Sequence, residues 1–223
     1  MKRRSLLQVL GLASTGTLLS GCYWESPDEW KSKLSLIVQT PQGEMVGSAV
    51  RWHQFSTDPV TGGGHYQDKG EATVVDLGNG KYLFALIQEM KPHDYTVFYG
   101  NKLTKDSTLQ GQVGLKAVVQ SDMYPMLVTF TDVKDPKSVK EVKPSDLAGA
   151  FGAGYSLKRI TLEITDEKVT EGVVEKLLTW IGDPSVMENP NWGQIPESAR
   201  RLLGGFLSDY RAAQKRFTKD HAK

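Results

Sequence analysis

The sequence predicts an α+β fold, a mainly antiparallel β-sheet assembly with two or three helices toward the C-terminus. Three observations predict it. Residues 33–39 and 155–165 alternate apolar and polar side chains with a period of two, the pattern of strands with one buried face. Gly78-Asn79-Gly80 joins two apolar runs, at 71–77 and 81–87, as a tight hairpin would. Beyond residue 165 the period lengthens, and Val169, Val173, Val174, Leu177, Leu178 and Ile181 recur on one helical face. Strands first and helices last is the order of an α+β domain rather than of repeated βαβ units.

Each element has its own local reason. Leu34, Leu36 and Val38 alternate with Lys33, Ser35, Ile37 and Gln39, and Thr40-Pro41-Gln42-Gly43 then supplies a turn. Residues 46–53 form a second strand. From 55 to 70 the chain is polar and Gly-rich around Gly62-Gly63-Gly64, which predicts a mobile loop. Both faces of the 71–87 hairpin carry large apolar side chains (Val74, Val75, Leu77, Tyr82, Leu83, Phe84, Leu86, Ile87), which places it in the middle of the core. Residues 91–99 and 113–119 fit strand or irregular structure. Residues 125–131 read as a strand and 132–137 as a charged turn.

Ser145 is expected to cap a short helix that Gly152 stops. Residues 155–165 make a long strand. Thr170 is expected to cap a helix running to Ile181, ended by Gly182-Asp183-Pro184, and 183–195 form a linker carrying Trp192. Pro196 suits the first position of a last helix, 196–217. Its stripe is Ala199, Leu203, Phe206, Tyr210, Ala213 and Phe217. Gly204 and Gly205 each cost a helix about 1 kcal/mol relative to Ala, so this stripe must dock to persist.

The chain opens with Lys2, Arg3 and Arg4, a modestly apolar run from 6 to 19, and Leu19-Ser20-Gly21-Cys22. Charge, a short apolar segment and small residues are the layout of an export signal. A membrane-spanning helix needs about 20 predominantly apolar residues, and this run is interrupted by Gln8, Gly11, Ser14, Thr15, Gly16 and Thr17. Its ending resembles the lipobox of bacterial lipoproteins, which implies cleavage between Gly21 and Cys22 and lipidation of Cys22. Arg3 and Arg4, followed by Ser5-Leu6-Leu7-Gln8, resemble a twin-arginine export motif, and a general secretory signal with a basic start fits as well. Tyr23, not Asp, follows the cysteine, which by resemblance to enterobacterial sorting rules implies the outer membrane.

The expected organisation is thus an export signal (1–21), a membrane tether (22–32), a β-rich α+β domain (33–183), and a linker with a C-terminal amphipathic helix (184–223). Tryptophans of the tether favour the lipid headgroup region, whereas Trp30 is expected against the domain edge. Loss of residues 1–21 leaves 24 Lys and Arg against 26 Asp and Glu, a net charge of −2. So nearly neutral a chain offers no electrostatic reason to bind nucleic acid or to carry a polybasic membrane patch. Cys22 is the one cysteine, so no intramolecular disulfide forms and no multi-cysteine zinc site exists. Stability must come from a hydrophobic core, and the chain is long enough to bury one.

Several blocks carry a further resemblance. Thr40-Pro41-x-Gly43, Gly47-Ser48-x-Val50, Gly70-Glu71-Ala72-x-Val74-Val75-Asp76-Leu77-Gly78 and Leu83-Phe84-Ala85-Leu86 are among them. Leu127-Val128-Thr129-Phe130, Asp135-Pro136-x-Ser138-Val139, and 159–166 with Val169-Thr170 are the others. Together they resemble an uncharacterised family of proteobacterial hypothetical proteins over most of residues 33–181. The resemblance implies one coherent domain and brings no activity, cofactor or catalytic residue.

No familiar catalytic pattern is complete in the sequence. His53, His65, His93 and His221 lack zinc spacing, and the ordinary reading of each is a surface or half-buried histidine. No G-x-S-x-G or S-x-x-K occurs. Gly78-Asn79-Gly80-Lys81 lacks the phosphate-loop spacing, and Gly152-Ala153-Gly154 precedes a strand rather than a helix. Asp132 with Asp135, and Asp166 with Glu167, read as solvated turn charges. No catalytic residue, cofactor or metal ligand is therefore assigned. The expected function is that of a lipid-anchored, periplasm-facing accessory or binding protein without catalysis of its own. Its expected partners are the membrane, through the anchor, and an envelope protein. The alternative is an envelope hydrolase or other enzyme with a site assembled from distant residues, such as His65 beside a carboxylate. A structural component of an envelope complex is a third, which an exposed apolar patch would favour.

Overall fold

The structure, a computed structural model, describes residues 27–58, 60–87, 94–98, 108–181 and 206. Alternation in the first strand is longer than expected. In β1 (Asp28–Thr40), Trp30, Ser32, Leu34, Leu36 and Val38 are buried, while Lys31, Lys33 and Ser35 between them are partly exposed. Strand structure thus enters the segment expected as tether, because Trp30 continues the inward phase. The Thr40–Gly43 turn is closed by the Thr40 hydroxyl donating to the Gly43 carbonyl at 2.8 Å. It leads into β2 (Gly43–Thr57), paired with β1 over the whole length of β1.

The segment expected as a mobile loop is instead the rest of a hairpin. β2 runs on to Thr57 and pairs with β3 (Gly64–Lys69), leaving only residues 58–63 as the turn. Polar strand residues escape the sequence pattern here because this hairpin lies at the sheet edge, where little is buried. β6 (Lys116–Val118) and β9 (Ser156–Ile164) complete a five-stranded sheet in the order β3-β2-β1-β9-β6. A second sheet, in the order β4-β5-β7-β8, comprises β4 (Thr73–Asp76), β5 (Tyr82–Ala85), β7 (Leu127–Phe130) and β8 (Val139–Val142). All the strand pairs are antiparallel.

The two sheets close on one core. Leu34, Leu36, Val38, Ile160 and Leu162 from the first meet Val75, Leu83, Leu127 and Val142 from the second. At Gly47 the backbones nearly touch: a Cβ there would lie 2.0 Å from the Val74 carbonyl oxygen. The opposite face of the second sheet is buried too. Phe84, Val128 and Phe130 pack against Val174, Leu178, Trp180 and Phe206. The 71–87 hairpin therefore lies between two apolar layers, as its two-sided composition predicted.

Helices are minor. α1 (Leu147–Phe151) is capped by Asp146, whose carboxylate accepts from the Gly149 N–H at 2.8 Å, rather than by Ser145. α2 (Val173–Leu177) is far shorter than 170–181. Thr170 does not cap it: its hydroxyl accepts from the Val50 N–H and its own N–H donates to the Val50 carbonyl, both at 2.9 Å. The cap comes from a distant side chain, Glu71, whose carboxylate accepts from the N–H groups of Val173 and Val174 at 3.1 Å. The described part is thus mainly antiparallel sheet with few helices. Of the expected helix at 196–217 only Phe206 is described; it is buried, and its carbonyl accepts from the Ala72 N–H at 2.8 Å. Among the described residues no helix is long and apolar enough to cross a membrane.

Candidate functional site

One concavity among the described residues is built from two turns and a strand edge. Gly78, Asn79 and Gly80 all have positive φ (80°, 54° and 71°), and the Asp76 carboxylate accepts from the Gly78 N–H at 2.8 Å. That turn delivers Lys81 toward α1, where its ammonium donates to the Phe151 carbonyl at 2.9 Å and sits 5.1 Å from the Tyr155 ring centre. Gly152 and Gly154, at φ 105° and 89°, stop α1 and turn the chain into β9. Between these parts and the β7–β8 edge lies a cleft of about 630 Å³, with Asn79, Lys81, Lys140, Glu141, Lys143 and Asp146 among its lining residues.

Charge within the cleft is unequal in its freedom. Lys81 is held by the Phe151 carbonyl and Asp146 by its cap. Lys140 and Lys143 are both exposed, as is Glu141. Thr129 faces Lys140 across the β7–β8 pair, and its hydroxyl donates to the Tyr82 carbonyl at 2.8 Å. The wall thus presents the exposed ammonium groups of Lys140 and Lys143 beside the Glu141 and Asp146 carboxylates, and an ammonium group of this kind can hold an anion by charge-assisted hydrogen bonds.

A second polar constellation lies inside the first sheet. The Ser32 hydroxyl is 2.8 Å from His53 Nε2, and the Tyr66 hydroxyl is 2.5 Å from His53 Nδ1. Trp30 stacks on the imidazole with centroids 5.3 Å apart. Hydroxyl and imidazole are the parts of a nucleophilic pair, but Ser32 is 0% and His53 1% exposed. No substrate reaches them in this arrangement, and their role is to satisfy each other within the core. His53 is therefore not the surface or half-buried histidine expected, and Trp30 is a core residue rather than an edge one. The signal was present in the sequence: Ser32 and His53 both occupy inward-phase positions of alternating strands.

No protein-family model, no curated protein and no solved structure matches the chain. The geometry alone carries the assignment of the site. Other expected residues fall as follows. Arg3, Arg4, Gly21, Cys22, His93 and His221 lie outside the described residues. His65 is on β3, exposed, paired with Ser56, and not in the cleft. Its near carboxylate is Asp58, held below the usual carboxylate range chiefly by N–H groups of Thr61 and Val60. Asp132 and Asp135 are turn residues, accepting from the N–H groups of Lys134 and Lys137 at 2.9 Å. Asp166 and Glu167 are exposed, the latter 2.7 Å from the Lys33 ammonium.

Proposed function

We propose that the chain is a lipid-anchored accessory or binding protein of the bacterial envelope, without catalysis of its own, which holds an anionic group in the cleft beside Lys140 and Lys143. The group belongs to a small molecule or to an envelope protein partner. The placement of the cleft carries this reading. Its α1 wall leads through Gly154, packed on Pro41, into β9, whose Ser156 pairs with Gln39 near the far end of β1. Asp28, at the near end, follows Cys22 by six residues. At about 3.3 Å per strand residue the two ends lie on the order of 35 Å apart. An anchor at Cys22 therefore turns the cleft away from the bilayer, open to a ligand or partner.

Cys22→Ser tests the anchor: the protein should leave the membrane fraction or remain uncleaved. An unchanged mature size with unchanged membrane association would refute it. For the cleft, NMR titration of the purified domain with inorganic pyrophosphate should move the amides of Lys140 and Lys143. The double variant Lys140→Glu/Lys143→Glu should lose the response. Shifts scattered over the surface, equal in the variant, would exclude an anion site here.

A further inference from the structure

We infer that the end of the molecule carrying Asp28 rests on the lipid bilayer, with the tip of the β2–β3 hairpin in the headgroup layer. The inference rests on the Cys22 anchor proposed above. Six residues reach at most roughly 20 Å when fully extended, so an anchored Cys22 keeps Asp28 close to the surface. Two registers fix what else lies there. Asp28 pairs with Phe55, and Thr57 pairs with Gly64, so the turn at 58–63 projects past Asp28 on the anchor side. The Thr108 hydroxyl donates to the Asp28 carboxylate, bringing the start of the 108–114 turn to the same end.

Composition of this end fits lipid. Of the six exposed large apolar side chains among the described residues, three are here: Phe55, Val60 and Val113, with Val60 90% exposed at the tip. Apolar side chains held against a bilayer gain by leaving water. The Asp58 carboxylate accepts from the N–H groups of Val60 and Thr61 at 2.8 and 2.7 Å, so the tip charge is hydrogen-bonded within its own turn. Gly62 and Gly64 keep the turn slim, and Phe55 packs against Gly64, where a Cβ would meet its ring at 2.9 Å.

The single cysteine makes the test clean, because lipidated Cys22 leaves an introduced thiol as the one available for labelling. The full lipidated chain carrying Val60→Cys or Val46→Cys is labelled with an environment-sensitive fluorophore. Each is then reconstituted in phosphatidylethanolamine–phosphatidylglycerol vesicles. Val46 is an equally apolar exposed position near the opposite end, paired with Ile37. The label at 60 should emit to the blue and be quenched several-fold more than that at 46 by quenchers carried on the lipid. Equal aqueous quenching at both positions, on protein that co-sediments with the vesicles, would overturn the bilayer contact and leave the anchor standing. Protein that fails to co-sediment would overturn both.

Discussion

At the scale of single residues, buried polar groups show most plainly what position does to chemistry. Glu71 is 1% exposed. Burial raises its pKa above the ordinary 4.5, outweighing the N–H groups of Val174 and Val173 that favour the anion. The folded chain thus keeps a proton that the unfolded chain releases as pH rises through 4.5. Stability from this group is fully present below that pH and declines as pH rises through the raised folded value. Glu71→Gln lacks the decline, so the stability of the parent minus that of the variant should fall from pH 4.5 upward. Urea unfolding of both at several pH values checks this; a difference independent of pH would mean that Glu71 titrates alike in both states. His53 illustrates the same lesson, since a hydroxyl on each ring nitrogen lets an imidazole sit in the core.

At the scale of elements, the hairpin of β4 and β5 is the layer that both cores share. Phe84 meets Phe130 edge-on at 5.6 Å and Phe206 at 5.4 Å, and Phe130 lies 5.9 Å from Trp180. Phe84→Ala should cost about 3–5 kcal/mol, the range for a buried phenylalanine, and Phe206→Ala a similar amount. Because the rings touch, the double variant should deviate from additivity by about 0.5–3 kcal/mol. Additive losses in urea unfolding would mean that Phe206 does not pack on β5. Sequence placed the hairpin between two apolar layers, as its both-sided apolarity requires, but not at the centre of its sheet, where β4 is an edge strand. It served α2 poorly. Apolar residues of 169–181 recur at helical steps, but the α-helix itself spans only Val173–Leu177, with Leu178, Trp180 and Ile181 packing in the turns that follow.

At the scale of the whole molecule, the sheets meet where a side chain would not fit. A Cβ on Gly47 would stand 2.0 Å from the Val74 carbonyl oxygen and 2.8 Å from the Val75 Cα. Both are backbone atoms of the other sheet and cannot rotate aside. Gly47→Ala should therefore destabilise at the upper end of, or beyond, the about 1–3 kcal/mol usual for overpacking. A thermal or urea midpoint within error of the parent would show that β2 and β4 are not in contact. Sequence alone determined the β-rich class, the turn at 78–80, the hairpin between two apolar layers and the long strand before α2. Each is set by local periodicity or by turn residues that act within a few positions. Tertiary structure alone decided that β1 begins at Asp28, that 55–70 is a hairpin, that Glu71 caps α2, and that Lys81, Lys140 and Lys143 share one cleft. Those depend on contacts between residues tens of positions apart, and no local pattern encodes which distant backbone a side chain will meet.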